Sequence, residues 1–536
     1  MPRETQRSTA SAPGGQCVVA GAAAWRAWVG FVFFGVLLCG CGSLATGAER
    51  ARRSTSAERD APRLGRHIPS VTGKESLTFT LKLDDAFTRM DVEACPHGFA
   101  LEGLNAPSPN AQALLAGGKI ITPEGDTPCP DENVALPHLK RDECVRYSVL
   151  FPVLPLSPQG SPDPTAFRRV DSDLLASPDL WLWVPTPRPI GVRIHAHFML
   201  PAGVSAALPW SGSGSGSDFE IPETAFAWKS AGAFTHSAPS APLDVPGTQL
   251  DLAVLGAGFP DHEGEVRAWL EQGARTSSLL FGGFPVKRAQ VIAVPGDRSG
   301  PAFGMALRGG GPTVVILLDR HASAATLHED WTCTHEFLHL GVPRLPPEDA
   351  WLFEGVATYY TEITRARAGV ISPQQAAQHL LQGFARGRAG AGKHTLREDS
   401  SEMRARHAFF RVYWSGAALA FLTDIAARRA GGSSLDAALR SFAACCAASA
   451  EDWTAERVLA HLDASLGAPR FANQAHAWLD RKEFPDVDST LRALGIALGR
   501  HGEAVFSRAA DTALRNSLFA VDASQTPADR EPHQAR

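Results

Sequence analysis

The sequence lacks several features that mark large classes of protein. Its 536 residues include 51 Lys and Arg against 56 Asp and Glu, a formal net charge of −5 at pH 7, so the basic excess of a nucleic-acid-binding protein is missing. No two cysteines are spaced as Cys-x-x-Cys, which argues against a cysteine zinc site or a thioredoxin-like motif. Only 4 residues are tyrosine. We therefore expect no nucleic-acid partner, and a catalytic tyrosine has few candidates.

The N-terminal region predicts an export signal. Residues 28–38 read WVGFVFFGVLL, an apolar run of signal-peptide length that is too short to span a bilayer. A longer membrane anchor that began at Val18 would have Arg26 in its middle, where a charge is costly. Residues 38–41, LCGC, resemble a bacterial lipobox. That resemblance implies cleavage before Cys41 and a lipid on this cysteine.

A lipoprotein signal over residues 1–40 would place the rest of the chain outside the cytoplasm. Residues 41–74 are rich in Ser, Ala, Arg and Gly without hydrophobic periodicity, which predicts a flexible tether. Gly42 is not the aspartate that resembles an inner-membrane retention signal. We therefore expect a lipoprotein of a bacterial cell envelope, anchored to the membrane through lipid on Cys41 and facing the periplasm from the outer membrane.

Cysteine usage agrees with an oxidising compartment. Six cysteines follow Cys41, and they are Cys95, Cys129, Cys144, Cys333, Cys445 and Cys446. The first three could form a disulfide, with Cys129 and Cys144 as one candidate pair around a proline-rich loop. The sequence leaves this pairing open.

The first folded region is predicted to be an antiparallel β domain over residues 75–245. Residues 77–83 alternate Leu and Phe with Thr and Lys, the period-two pattern of a strand with one buried face. Residues 192–200 repeat this alternation, and Pro and Gly interrupt the segments between strands. The pattern indicates a sheet with one face against a core.

The hydrophobic period changes after the β domain. Two short apolar segments still predict strands, but residues 262–280 and almost all of the chain after residue 326 have a helical period. The expected fold class is therefore α+β, with a mainly helical second domain over residues 246–495. Residues 496–536 are expected to form a C-terminal tail.

The segment HEFLH at residues 335–339 carries the clearest chemical pattern in the sequence. On a helix, His335 and His339 project from one face about one turn apart, which is zinc-chelating geometry. A catalytic zinc site takes three protein ligands, and Glu354 supplies the third. Glu336 is then the natural general base for a zinc-bound water. The alternative is a helix with two surface histidines and an ordinary glutamate.

Attack on an amide carbonyl develops negative charge that a positioned donor must stabilise. Among the 4 tyrosines, Tyr147 lies in the predicted β domain, and Tyr359 and Tyr360 follow the third ligand so closely that we expect them to pack within its helix. Tyr413 is therefore the candidate that stabilises the oxyanion. The alternatives are that Tyr413 belongs to the core and that His407 or water donates instead.

Other polar residues carry weaker signals. Asp330 and Glu362 are both candidates to accept a hydrogen bond from a ligand histidine, and the sequence does not separate them. His195 and His197 could form another metal site, but a polar strand face explains them better. Cys333 is expected to be buried packing.

The chemical motifs and their surroundings resemble the glycyl-aminopeptidase family of gluzincin metallopeptidases. The motifs that carry this resemblance, within residues 75–495, are HEFLH at 335–339, PRLP at 343–346, WLFEGVATYY at 351–360, YWSGAAL at 413–419 and SLD at 434–436. The resemblance implies a thermolysin-like catalytic domain after the β domain. It also implies zinc binding by His335, His339 and Glu354, a base at Glu336 and transition-state stabilisation by Tyr413.

Three departures from the family pattern bear on substrate choice. The loop between His339 and Glu354 is shorter than usual, and residues 496–536 are too few for the PDZ domain that the family commonly carries. Related aminopeptidases hold the free amine of the substrate with an acidic residue on an edge strand. Ala302–Thr313 contains no Asp or Glu, and Arg308 has the wrong sign. The choice between aminopeptidase and endopeptidase therefore stays open, with aminopeptidase activity in doubt.

Three functions compete on these grounds. The leading hypothesis is a zinc-dependent metallopeptidase that acts on peptides or protein segments. The second is a non-catalytic, zinc-containing binding lipoprotein of the same fold, against which the intact Glu336 argues. The third is a zinc hydrolase of non-peptide bonds.

Overall fold

A computed structural model describes residues 68–69, 75–122, 125–128, 135–136, 143–152, 167–186, 188–212, 216–237, 240–297 and 300–520. These residues belong to one compact unit, Leu64–Arg536. The predicted signal peptide, the lipid-bearing Cys41, nearly all of the tether and Cys129 lie outside the described residues. Within the described ranges, none of the helices combines the length and the apolar character that a membrane span needs.

The first part of the unit is a β domain with one short helix. Its elements are β1 (Ile68–Pro69), β2 (Ser76–Leu83), β3 (Arg89–His97), β4 (Gly103–Asn105), α1 (Pro109–Ala113), β5 (Leu115–Thr122), β6 (Gly125–Pro128), β7 (Ala135–Leu136), β8 (Cys144–Leu150), β9 (Phe167–Val170), β10 (Asp173–Ala176), β11 (Val184–Thr186), β12 (Pro189–Ile190), β13 (Arg193–Met199), β14 (Ser205–Ala207), β15 (Ser211–Gly212), β16 (Asp218–Glu220) and β17 (Ala233–Thr235).

An eight-stranded sheet in the order β15-β16-β13-β2-β3-β8-β5-β6 forms most of this domain. The alternation predicted for β2 is present. Its leucines and Phe79 are buried, and the residues between them are more exposed. Strands β2 and β3 pair antiparallel, with Phe79 opposite Ala94. Strands β2 and β13 instead run parallel, with Phe79 opposite Ala196. The expected antiparallel sheet therefore contains one parallel pair.

Three smaller sheets, β14-β17-β10-β9, β11-β4-β7 and the two-stranded β1-β12, complete the described part of the β domain. Aromatic rings fill its core. The ring of Trp181 lies 5.7 Å from the rings of both Phe198 and Trp210. Its indole nitrogen donates to the carbonyl oxygen of Ala176 at 3.4 Å. Burial of these large apolar surfaces is the main stabilising contribution in this domain.

A disulfide between Cys95 and Cys144 joins strands β3 and β8. The candidate pair Cys129–Cys144 is therefore wrong, because β3 and β8 are adjacent in the sheet and bring Cys95 beside Cys144. A second disulfide joins the neighbours Cys445 and Cys446.

A mixed four-stranded sheet with one packed helix follows the β domain. Its elements are β18 (Gln249–Val254), α2 (Glu263–Phe281), β19 (Arg288–Gly296), β20 (Phe303–Leu307) and β21 (Thr313–Asp319). The order is β18-β19-β21-β20, with β20 antiparallel to β21 and the other pairs parallel. The central strand β19 is buried on both faces, as expected for a parallel strand covered on two sides. Strands β18 and β20 are the two edge strands.

The rest of the unit is mainly helical. Its elements are α3 (Ala324–Glu329), α4 (Thr332–His339), α5 (Ala350–Arg367), α6 (Pro373–Ala389), α7 (Leu396–Ser401), α8 (Phe409–Ala430), α9 (Leu435–Cys446), α10 (Ala455–Leu466), α11 (Arg470–Trp478), α12 (Asp488–Leu494), β22 (Ile496–Leu498), β23 (Ala504–Phe506) and α13 (Thr512–Phe519). Ile496, Ala504, Leu518 and Phe519 are buried in the same apolar core as the helices. The core therefore extends beyond residue 495, where the sequence predicted a tail to begin.

Helices α5 and α8 approach closely where Gly355 meets Gly416. A Cβ atom on Gly416 would overlap the carbonyl oxygen of Trp351, and a Cβ atom on Gly355 would overlap the backbone of Gly416. Only glycine leaves room for this contact. The crossing places Glu354, the residue before Gly355, beside the first turns of α8.

Candidate metal centre

Helix α4 presents two histidines to one site. All of its residues are buried, and His335 and His339 lie one turn apart on one face. Helix α5 brings Glu354 to the same place. Its Oε2 atom lies 3.3 Å from Nε2 of each histidine, and the two Nε2 atoms are 3.1 Å apart. These three ligand atoms all lie within 4.8 Å of one another.

The donor set fits zinc. Two imidazole nitrogens and one carboxylate oxygen are the protein ligands of one class of catalytic zinc site, which leaves a position open for water or substrate. Burial by itself would raise the pKa of Glu354, but the adjacent His339 and His335 hold it well below its usual range. The carboxylate is therefore ionised at neutral pH and can bind a cation.

Thr361 fixes the tautomer of one ligand. Its hydroxyl donates to the carbonyl oxygen of Ala357 at 2.7 Å, and Oγ1 lies 3.3 Å from Nδ1 of His335. Because the hydroxyl proton is used, Oγ1 accepts from Nδ1–H, and the lone pair of His335 is then on Nε2, which faces the site. Sequence analysis did not identify Thr361, although it lies two helical turns after Glu354 on the same face of α5.

The sequence suggested Glu362 and Asp330 as acceptors for the N–H group of a ligand histidine. Both carboxylates have other partners. Glu362 accepts from Nδ1 of His379 at 2.7 Å. Asp330 accepts from the backbone N–H groups of Ala302 and Thr332, both at 2.7 Å, and so ties β20 to the start of α4. These two acids stabilise the elements around the site.

The side chain of Glu336 extends from α4 toward the edge strand β20. A Cβ atom on Gly304 would overlap Cγ of Glu336, so the strand can approach the carboxylate only because residue 304 is glycine. Burial raises the pKa of Glu336 to about 7, and the backbone N–H of Ala306 donates to its carboxylate. A carboxyl group with a pKa near neutrality can both accept and release a proton.

Tyr413 reaches the metal centre from α8. Its ring lies 6.2 Å from the ring of His335 in a nearly parallel orientation of 12°. Its hydroxyl is hydrogen-bonded to Glu354, and burial raises its pKa well above the usual value. The phenol therefore stays protonated and can donate.

The other three tyrosines are buried in the cores of the protein. Tyr147 donates to the carbonyl oxygen of Trp181 at 2.8 Å in the β-domain core. Tyr359 donates to Oδ2 of Asp424 at 2.9 Å, and Tyr360 is fully buried in the helical core. The structure therefore brings Tyr413 to the three ligand atoms, and it places His407, the alternative donor, in the loop before α8 with φ 53°.

Arg308, whose charge has the wrong sign to hold an ammonium group, bonds to backbone carbonyl oxygens instead. Its guanidinium donates to the carbonyl oxygens of His339 and Ala447, both at 2.9 Å, and to that of Val342. Arg308 thus holds the end of β20 against the C-terminus of α4, where a positive charge is favourable. Burial lowers the pKa of Arg308 to about 10, so it remains charged at neutral pH.

Two other predictions concern residues outside the centre. His197 pairs with Asp218 at 2.7 Å on an exposed strand face, as expected for a polar surface. Cys333 is a free, buried cysteine. A Cβ atom on Gly273 of α2 would overlap its sulfur, so Cys333 lies at a close contact between α2 and α4.

Comparison with protein families gives one match. Residues 344–419 match the model of the M61 glycyl aminopeptidase family. The matched segment includes Glu354 and Tyr413 and begins just after the HEFLH motif. No protein with a curated description matches the chain.

Solved structures share the fold at low sequence identity. An aminopeptidase N family protein from Idiomarina loihiensis has a TM-score of 0.61 and 14% identity, with 78% of each chain covered. An M1 zinc metallopeptidase from Deinococcus radiodurans has a TM-score of 0.47 and 16% identity, with 80% of this chain and 97% of that chain covered. The elements of the structure and the similarity to the Idiomarina loihiensis protein confirm the α+β fold predicted from the sequence. The predicted resemblance to the glycyl-aminopeptidase family is confirmed over residues 344–419, and this match supports a metallopeptidase.

Proposed function

We propose that this chain is a zinc metallopeptidase that hydrolyses peptide bonds. The observation that carries the proposal is the convergence of His335, His339 and Glu354 on one point, with Glu336 and Tyr413 beside it. Zinc held there would lower the pKa of a bound water and polarise the scissile carbonyl.

Glu336 acts as the general base in this proposal. It takes a proton from the attacking water and later gives it to the leaving amine. Both transfers need a group whose pKa is near the working pH, and burial holds the pKa of Glu336 at about 7. Gly304 and the N–H of Ala306 keep the carboxylate in one place, so it need not reorganise during the reaction.

Tyr413 acts as the donor to the developing oxyanion. Its hydroxyl, next to Glu354, lies on the side of the centre formed by α8 and stays protonated because burial raises its pKa. A fixed donor at the point where charge develops lowers the barrier more than a mobile water does.

The substrate is expected to be a peptide or protein segment, and cleavage is expected without a free N-terminus. Strand β20 reads FGMAL and carries no carboxylate that could hold an ammonium group. The nearest charged residue on this segment, Arg308, is positive and donates to backbone carbonyl oxygens.

The lipid anchor on Cys41 and the envelope location complete the proposal. They rest on residues 1–74 alone. Incorporation of a labelled fatty acid into the wild-type chain but not into Cys41→Ala would support them, and equal labelling would contradict them.

The test of the catalytic proposal is cleavage of a mixed peptide library, half of it N-acetylated, by the full chain and by Glu336→Gln. Zinc content is measured for both proteins. We expect both to hold one zinc per chain and the variant to be slower by about 100-fold to 10,000-fold. Equal rates would refute the role of Glu336. If zinc binds and neither protein cuts, the non-catalytic binding protein or the zinc hydrolase of non-peptide bonds replaces the peptidase.

A further inference from the structure

The described residues include seven large apolar side chains whose exposed fractions lie between 37% and 53%. They are Leu150, Met199, Phe303, Trp331, Phe410, Leu498 and Val505. Three of them are aromatic, and each aromatic residue is within four positions along the chain of a residue at the metal centre. The four aliphatic side chains lie in the β domain and in the β22–β23 hairpin. The exposed aromatic residues, unlike the aliphatic ones, are therefore close in sequence to residues of the candidate site.

Trp331 lies next to a ligand histidine. It precedes α4 by one residue and lies four positions before His335, so it is on the same face as His335 and His339. Its ring meets the ring of His335 edge-on, at 5.2 Å and 82°. Trp331 is 40% exposed, whereas every residue of α4 is buried. One large aromatic face is thus open at the end of a helix that is otherwise covered.

Phe410 is an exposed aromatic residue of α8. It is three positions before Tyr413, whose ring is stacked over His335. Phe410 is 37% exposed, and the guanidinium of Arg386 lies 5.8 Å from its ring centre. The ring of Phe410 is therefore placed beside Arg386 of α6, and Tyr413 is the aromatic residue of α8 that reaches His335.

Phe303, unlike Trp331, does not face the metal centre. It is adjacent to Gly304 on strand β20, and successive strand residues point to opposite faces. Since Gly304 faces Glu336, Phe303 points away from the metal centre.

We propose that Trp331 forms an aromatic rim of the site that binds a large apolar side chain of the peptide, with aromatic side chains held most tightly. Because Trp331 contacts the ring of His335, the bound side chain belongs to a residue next to the scissile bond. This inference rests on the proposed function and adds the substrate class. Contact of one aromatic side chain with the exposed face of another favours the complex by about 10-fold over alanine.

The test is equilibrium binding to the zinc-loaded, full-length Glu336→Gln protein, measured by calorimetry. The probes are N-acetylated penta-alanine amide and its five single-phenylalanine variants. We expect phenylalanine at one position to tighten binding by about 10-fold or more. Adding Trp331→Ala should reduce this preference to less than about 3-fold. Trp331→Phe should keep it.

Leu498→Ala is the matched control, because Leu498 is at least as exposed but lies on β22. It should leave the phenylalanine preference unchanged. A preference that survives Trp331→Ala, equal affinity for all six peptides, or no binding of any peptide would overturn the rim as a substrate site.

Activity separates this inference from the proposed function. If the wild-type chain cuts no peptide but the phenylalanine preference depends on Trp331, the peptidase proposal fails and the rim remains. If cleavage depends on Glu336 and ignores Trp331, the rim fails and the peptidase remains. Thermal unfolding of each variant confirms that it is folded.

Discussion

The β domain and the helical region bury different kinds of side chain. Among the described residues between Ser76 and Thr235, the buried polar side chains include one charged group, Asp173. The helical region after residue 331 buries many more charged or histidine side chains, which are His335, Glu336, His339, Glu362, Arg365, Asp399, Arg411, Asp424, Asp436, Asp463 and Arg515. The β domain is therefore an apolar support, and the chemistry is concentrated among helices.

Buried charge alone does not identify the site. Asp173 accepts from the hydroxyl of Thr235 at 2.6 Å and from two backbone N–H groups. Asp436 accepts from Arg367 at 2.8 Å and from Arg428 at 2.6 Å. These acids have complementary protein partners and stabilise the fold. At the metal centre, two basic nitrogens and a carboxylate oxygen instead converge on one another, which is what a cation requires.

The largest effect on the free energy of unfolding is expected for a substitution in the apolar core of the β domain. Trp181 is fully buried among aromatic rings, so Trp181→Ala should lower the free energy of unfolding by about 3–5 kcal/mol. Leu150→Ala, at a side chain that is 45% exposed, should change it by less than about 0.5 kcal/mol. Urea unfolding measures both. Equal stabilities would mean that the β domain does not depend on its apolar core.

The two disulfides should contribute unequally to the free energy of unfolding. Cys95 and Cys144 are 49 positions apart, so replacing both by serine should cost about 2–4 kcal/mol, because the unfolded chain regains the freedom of a long loop. Cys445 and Cys446 are 1 position apart and close no such loop, so their double serine variant should lose less than about 0.5 kcal/mol. Thermal unfolding under oxidising conditions checks this order, and a larger loss for the second pair would reverse it.

Thr361 should affect the metal and not the fold. Thr361→Val removes the oxygen that accepts from Nδ1–H of His335 but keeps the shape of the side chain. We expect zinc affinity to fall by about 10- to 100-fold, measured by competition with a chelator. Thr361→Ser, which keeps the hydroxyl, should bind zinc nearly as the wild type does. Unchanged affinity in the valine variant would show that the tautomer of His335 is fixed in another way.

Gly304 should affect the base and not the metal. Gly304→Ala places a methyl group where Cγ of Glu336 lies, so the carboxylate must shift. A shift of this size is expected to lower kcat by about tenfold at unchanged zinc affinity. Gly264→Ala is the control, because open space surrounds that position on α2. Full activity in Gly304→Ala would show that the position of Glu336 does not depend on the edge strand.

Local patterns in the sequence predicted the elements that depend on one segment of chain. The strand alternation around Phe79 and the pairing of His335 with His339 follow from the repeats of a strand and of a helix, and both are present. The sequence could not show that Cys95 is the partner of Cys144, because strand order decides which cysteines are neighbours. It also missed Gly304, because nothing local marks which strand will lie against Glu336.

The sequence by itself determined the ligand types and their spacing on α4, since a helix places residues four apart on one face. Only the tertiary structure decided what surrounds them. The glycine contact between α5 and α8 brings Glu354 and Tyr413 together, and the edge strand brings Gly304 to Glu336. These contacts join segments far apart in the chain, and their geometry depends on how whole elements pack, which no local repeat encodes.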